Sequence, residues 1–209
     1  MSIDILLRQL QKTNDSEILQ TVTTSLDAMA SGGIYDHLDG GFSRYSVDNY
    51  WLVPHFEKML YDNALLARAY LHAWQITKEQ RWRNVAEETI DYVLRRLIQP
   101  GGGFASAEDA DSEGVEGLYY VWTVDQINEI CGLNSPAVLD WYGVTEQGNF
   151  EGANILYRPV RGDLLRPPEI EQARQDLLNV REGRIRPGLD DKVLTEWNGL
   201  MLTTLAEAA

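Results

Sequence analysis

An all-α fold, built as an array of antiparallel helix hairpins, is what this sequence predicts. Three observations carry that expectation. Apolar residues recur at helical spacing along most of the chain, and several helical segments are joined by turns of only a residue or two. One helical pattern also returns: "DNALLARAYLHAW" (62–74) and "WNGLMLTTLAEAA" (197–209) share an Asn, a small residue and a long aliphatic/small run. Helix pairs that repeat stack into an α/α array, closed as a ring or wound as a superhelix.

The elements follow in order. Residues 15–30 place Ile18, Leu19, Val22, Leu26 and Met29 on one face, and "SGG" then stops the helix. Pro54 suits a first helical position, where its missing N–H costs nothing. A helix from there to residue 76 carries an apolar stripe of Phe56, Met59, Leu60, Ala67, Tyr70, Leu71 and Trp74. On it, His72 reads as a surface or packed residue. Thr77 and Gln80 form a capping box for the next helix, which runs to about Leu97, and Thr123 with Gln126 repeats the device before a shorter helix ending at Cys131-Gly132. Ser135-Pro136 opens another short helix, and 168–182 and 191–208 complete the set. "GGGFASA" and "GLYYVWT" read as the arms of a β-hairpin around an acidic loop, and "ANILYRPV" as a weaker strand.

Composition narrows the function classes. The 209 residues carry 32 acidic and 18 basic side chains, a formal net charge of −14. Such a surface repels phosphate backbones and anionic lipid, so neither nucleic acid nor a membrane is an expected partner. No apolar run approaches the ~20 residues of a membrane helix, and "MSIDILLRQLQK" lacks the basic start and apolar stretch of a signal peptide. A cytoplasmic location is expected. The single cysteine, Cys131, excludes an internal disulfide and reads as a small core residue. From Leu97 to Tyr157 there is no Lys or Arg but ten acidic residues, either a solvated face or the rim of a site for a neutral or cationic ligand. Within it, "DADSEG" begins like a calcium loop, but the position that needs a bidentate carboxylate is Tyr120. No metal and no cofactor are expected.

Four long motifs then carry a resemblance: "GGIYDHLDGGFSRYSVDNYWLVPHFEKMLYDNALLARAY", "AEDADSEGVEGLYYVWT", "YGVTEQGNFEGANIL" and "GLDDKVLTEWNGLM". Together they closely resemble the thioredoxin-domain-containing family related to the spermatogenesis-associated thioredoxin-like proteins. The resemblance implies an N-terminal thioredoxin-like domain followed by an α/α-toroid region, of which residues 1–209 match only the first part. The thioredoxin-like domain is absent here, as is any C-x-x-C. More distantly, the toroid region is similar to six-hairpin sugar enzymes such as N-acylglucosamine 2-epimerases, through Leu60-Tyr61-Asp62-Asn63-Ala64 and Gly102-Gly103-Phe104. The implied fold is one incomplete (α/α)6 toroid whose inner helices ring a funnel holding a sugar. "LTTLAEAA" contains no helix stop, so the chain reads as cut short. Self-association or a companion chain is expected to complete the ring.

The candidate residues follow from that placement. In "WLVPHFEKMLYDN", His55, Glu57 and Asp62 can point toward the funnel. They could serve as the acid and base of an epimerase, or as carboxyl groups of a glycosidase, or simply cap the helix. Asp191 and Glu196 are a possible carboxylate pair, or equally an N-cap and a first-turn acid. "IYDHLDGGFSRYS" offers Asp36, His37, Arg44 and Tyr45, with Trp51 beyond, as groups that grip sugar faces and hydroxyls. Asp109, Asp111 and Trp122 are rim candidates in the acidic loop, and Trp197 and Asn198 at the last helix. His37, His55, Glu57, Asp62, Asp111, Asp191 and Glu196 are expected to converge on one concave face. The expected function is a carbohydrate-active domain, an epimerase or isomerase type. The alternatives are a non-catalytic ligand- or client-binding module linked to a thioredoxin-like partner, or an inactive fragment.

Overall fold

A computed structural model describes residues 2–209. The fold is mostly helical: α1 (Ser2–Thr13), α2 (Ser16–Ser31), α3 (Leu60–Thr77), α4 (Gln80–Arg96), α5 (Val124–Cys131), α6 (Ser135–Trp141), α7 (Pro168–Arg181) and α8 (Thr195–Ala208). Seven two-residue strands occupy the loops: β1 (Tyr45–Ser46), β2 (Pro54–His55), β3 (Lys58–Met59), β4 (Ala107–Glu108), β5 (Asp111–Ser112), β6 (Val115–Glu116) and β7 (Leu189–Asp190). β1 pairs with β2, β5 with β6, and β4 lies between β3 and β7, all antiparallel.

Two layers of helices form the main body. α3 packs along both α4 and α8, and α1 packs on α2 and α3. Arg81 and Trp82 at the start of α4 both bond Asp27 of α2. Thus α1, α3 and α8 form one layer, with α2 and α4 behind it. Leu26, Tyr70, Trp82 and Phe42 fill the core at one end, and Leu60, Tyr92, Phe104 and Met201 at the other. α5, α6 and α7 build a third core around Ile127, Tyr142 and Leu177.

The returning pattern is a physical repeat. After α2 the chain turns through Gly40-Gly41-Phe42, and after α4 through Gly102-Gly103-Phe104, with both glycines of each turn at positive φ (78°, 80°, 88° and 79°). A side chain at Gly41 would strike Tyr92 at 2.6 Å, so the left-handed backbone and the close approach both select glycine. Each Phe is then clamped by an Asn in the first turn of a helix. Asn63 of α3 accepts from the Phe42 N–H at 2.7 Å and donates to the Phe42 carbonyl at 3.0 Å. Asn198 of α8 does the same to Phe104, at 2.7 and 3.0 Å. Both amides also donate back into their own helix, to Met59 and Leu194.

Several local expectations are corrected. α1 was not expected, although Ile3, Leu6, Leu7 and Leu10 fall at helical spacing and face the first core. The helix expected at Pro54 starts at Leu60, because 54–55 and 58–59 are drawn into strand pairs with 45–46 and 107–108. "GGGFASA" and "GLYYVWT" do not pair with each other. Ala107–Glu108 joins β3 and β7 instead, and the hairpin is the short β5–β6, turning at Glu113 (φ 55°) and Gly114 (φ 77°). The 153–160 segment contributes a bridge from Asn154 to Trp122. The Thr123–Gln126 capping box forms, whereas α4 is capped by Glu79 without a side-chain bond and no Thr77–Gln80 box exists. α8 begins at Thr195, four residues later than expected, and residues 191–194 are an irregular link from β7. Trp74 is half-buried at the edge of the first core, flanked by Lys78 and Arg83.

The clamps yield a direct test. Asn63→Ala leaves the buried N–H and C=O of Phe42 without partners, and Asn198→Ala does so at Phe104. Each is expected to lower unfolding free energy by about 3 kcal/mol, read as a urea midpoint shift. A shift at one site and none at the other would show that the two clamps are not equivalent.

Candidate functional site

Buried charge organises the loops beneath the site. Asp36 Oδ2 accepts from Lys58 Nζ and Arg181 Nη2, each at 2.8 Å, and Oδ1 from Arg181 Nη1 at 2.9 Å and the backbone N–H of Leu38 and Asp39. All three side chains are buried. Burial opposes the charge on Asp36, but the guanidinium and the ammonium outweigh it and hold the carboxyl well below the usual carboxylate range. Asp39 binds Arg95 and Arg96 at 2.8 Å, and Glu108 binds Arg186 at 2.6 Å and the Tyr92 hydroxyl at 2.8 Å. His37 is buried with Nε2 3.0 Å from the Gly32 carbonyl, and burial pulls its pKa down to about 4. Asp36 and His37 are therefore inside the protein, bonded to its own groups, and line a small internal cavity together with Lys58 and Arg181.

A second polar cluster is open to solvent. β1–β2 pairing places Tyr45 opposite His55, and the two rings stack at 5.1 Å with planes 24° apart. His55 Nδ1 lies 2.8 Å from Glu116 of β6, and its Nε2 lies 3.8 Å from Glu57. Arg44 Nη1 donates to Glu57 at 3.1 Å. The Tyr61 hydroxyl sits against both Arg44 and Asp62 in the first turn of α3. Asp62 is half-buried, and its Oδ2 is shielded without a hydrogen-bond partner. Burial raises its pKa to about 6, Glu57 adds to the rise, and Tyr61 and Arg44 pull against it. The strands thus bring His55, Glu57 and Asp62 together without the continuous helix on which the sequence placed them.

Beside this cluster, the exposed side of the α1–α3–α8 layer forms a groove of about 540 Å³. Tyr61, Leu65 and Arg68 of α3, Glu196, Trp197 and Leu200 of α8, and Asp4 and Ile5 of α1 line it. Tyr61 and Trp197 meet edge to face at 4.8 Å, so Tyr61 belongs to both the cluster and the groove. Further along α3, His72 bridges α1 and α8: Nδ1 is 3.0 Å from Asp4 and Nε2 2.8 Å from Glu207, which Arg68 also holds. His72 ties three helices together and is not an idle surface residue.

The remaining candidates divide. Glu196 and Trp197 line the groove. Asn198 is the Phe104 clamp, and Asp191 is exposed with no side-chain partner among the described residues. Asp109 caps its own turn through the Ala110 N–H at 2.6 Å. Asp111 is exposed on β5, opposite Glu116. Trp122 is fully buried beneath the groove that Arg184 lines, and Trp51, partly exposed, packs against the first core from a left-handed position (φ 65°). Sequence reasoning missed Lys58, Arg181, Asn63 and Glu116. The doubled Gly-Gly-Phe with its later Asn could have revealed Asn63, but nothing local marks Arg181 as the partner of Asp36.

Asp62 gives a signed pH test. It releases its proton near 3.8 when unfolded and near 6 in the fold. Its contribution favours folding fully below pH 3.8 and is lost as pH rises through about 6. Asp62→Asn, which cannot ionise, is expected to match the wild type below pH 4 and to be the more stable at pH 7.5. Equal urea midpoints at both pH values would overturn the assignment.

No protein-family model matches the chain. Among curated proteins it is similar to human spermatogenesis-associated protein 20, with 38% identity over an alignment of 227 positions that covers 91% of this chain and 29% of that protein. The mouse protein of the same name is 37% identical over the same shares. An uncharacterized protein of Caenorhabditis elegans is 31% identical across 99% of this chain and 34% of its own length. The chain is thus similar to spermatogenesis-associated protein 20 over most of its own length and spans 29% of the length of that human relative.

Proposed function

We propose that this segment is part of a carbohydrate-active α/α toroid, in which α1, α3 and α8 are inner helices and their exposed groove receives a sugar. The reaction that fits the polar cluster is epimerisation or isomerisation beside a carbonyl, where one group removes a proton and another returns it. The observation that carries this reading is Asp62, a half-buried carboxyl with one oxygen unpartnered and a pKa raised to about 6, in the same cluster as a histidine held between two carboxylates. A group with that pKa exchanges protons readily near neutrality. In this reading His55 is the base, with Glu116 fixing its ring, and Asp62 is the acid. Arg44 and Glu57 position them, and Tyr61 and Trp197 present aromatic surface to the sugar ring.

A second reading, binding without turnover, is favoured by one feature of the same cluster. Arg44 is already paired with Glu57 and His55 with Glu116, so these groups satisfy one another without a substrate. In that form the groove presents a ligand or client, and a thioredoxin-like domain elsewhere in the longer protein acts on it.

Deuterium incorporation separates the two. N-acetylglucosamine or N-acetylmannosamine incubated with the full-length protein in deuterated water is expected to exchange its C2 proton. His55→Gln and Asp62→Asn should each slow exchange by about 10²–10⁴-fold, while Tyr61→Ala chiefly raises KM. Saturable sugar binding with no exchange would favour the second reading, and no sugar binding at all would sink the first.

A further inference from the structure

The chain's acid excess makes one arginine conspicuous. Every other buried or half-buried arginine or lysine among the described residues has a carboxylate within ion-pair distance: Lys58, Arg68, Arg81, Arg96, Arg158, Arg166, Arg174, Arg181 and Arg186. Arg184, half-buried in the turn after α7, has none. Its Nη1 donates to the backbone carbonyls of Tyr119 and Val121 at 2.9 and 2.8 Å, and its guanidinium lies 3.9 Å over the Trp122 ring. Those contacts fix the plane of the group while leaving Nε and Nη2 without an acceptor. That Nε/Nη2 edge is the fork that receives a carboxylate through two parallel hydrogen bonds.

Arg184 helps line a groove of about 480 Å³, which shares no lining residue with the polar cluster, with walls from Leu118, Val121 and Ile185. Leu118 and Ile185 are 40% and 61% exposed, apolar surface with nothing packed on it. The other polar lining groups do not compete. Thr123 and Gln126 bond each other in the α5 capping box, and Ser112 donates to the Ile185 carbonyl. Glu113 stands exposed at the hairpin tip and makes no ion pair with Arg184 although it borders the same groove. Glu182, next in sequence to Gly183, is taken by Arg96 and Arg186.

We propose that Arg184 anchors the carboxylate of a small ligand with an apolar body, whose chain lies along Leu118, Val121 and Ile185. The class is a free monocarboxylic acid with an apolar chain. A dianion such as phosphate suits the site poorly, because among the described residues one guanidinium is the only cation lining the groove and Glu113 borders it.

The test is a titration of the folded protein with hexanoate, followed by amide shifts of the groove residues, with hexanol and inorganic phosphate as controls. Hexanoate is expected to shift Leu118, Gln126 and Ile185 saturably, and each control to bind at least about tenfold more weakly. Arg184→Gln should weaken hexanoate binding about tenfold or more. Since Arg184 also holds two carbonyls, Ile185→Glu is the independent variant: at an exposed position it sets a carboxylate beside the fork and should abolish binding with the melting temperature unchanged. Absence of groove shifts, equal binding of phosphate, or unchanged affinity in folded Ile185→Glu would overturn the proposal.

Discussion

One buried carboxylate holds the loops of this protein in place. Asp36 is the meeting point of the turn after α2, the strand β3 and the C-terminal end of α7, through Lys58, Arg181 and two backbone N–H groups. Removing two cations and an anion from water is expensive, and the arrangement is stable only because every charge is met at hydrogen-bond distance. The geometry it enforces is narrow: a bidentate guanidinium on one side and an ammonium, seated 4.3 Å from the centre of the Tyr92 ring, on the other. Asp39 and Glu108 extend the same network to Arg95, Arg96 and Arg186. The network's worth lies in specifying one arrangement of loops that have little regular structure of their own.

On that base the Gly-Gly-Phe turns set the helices. Each turn brings a Phe backbone to an Asn one turn into the following layer helix, so α3 and α8 enter the layer with the same orientation. That common entry places Tyr61 and Trp197, two residues before and one before the respective clamps, against each other at the head of the groove. Aromatic surface and open groove are thus consequences of a duplicated backbone device. The helices themselves are joined across the exposed face by the Asp4–His72–Glu207–Arg68 chain, which ties α1 and α8 to α3.

The two polar systems differ in what they leave unsatisfied. In the buried network each charged side chain meets an opposite charge, and Arg181 Nε is left without a partner. In the open cluster Asp62 likewise keeps an oxygen without a partner, there at a half-buried position beside a groove and with a raised pKa, which makes the group a candidate site. The same contrast singles out Arg184, whose fork is idle in a chain where its half-buried counterparts are paired.

The sequence by itself determined most of the helices, because helical periodicity and capping are local: α2, α4, α5, α6 and α7 lie within a few residues of their expected bounds, and the Thr123–Gln126 box forms as read. It also carried the duplicated pattern and the group His55, Glu57 and Asp62, which sit within eight positions of one another and meet in the fold. Only the tertiary structure decided that residues 54–59 are extended, since strand pairing with 45–46 and 107–108 overrides the helix start that Pro54 invites. It likewise decided that Asp36 and His37 are interior groups while Arg44 and Tyr45, a few residues on, remain exposed. The partner that commits Asp36 lies 145 residues away at Arg181. No local spacing encodes a contact of that range; burial and charge pairing create it when the chain collapses.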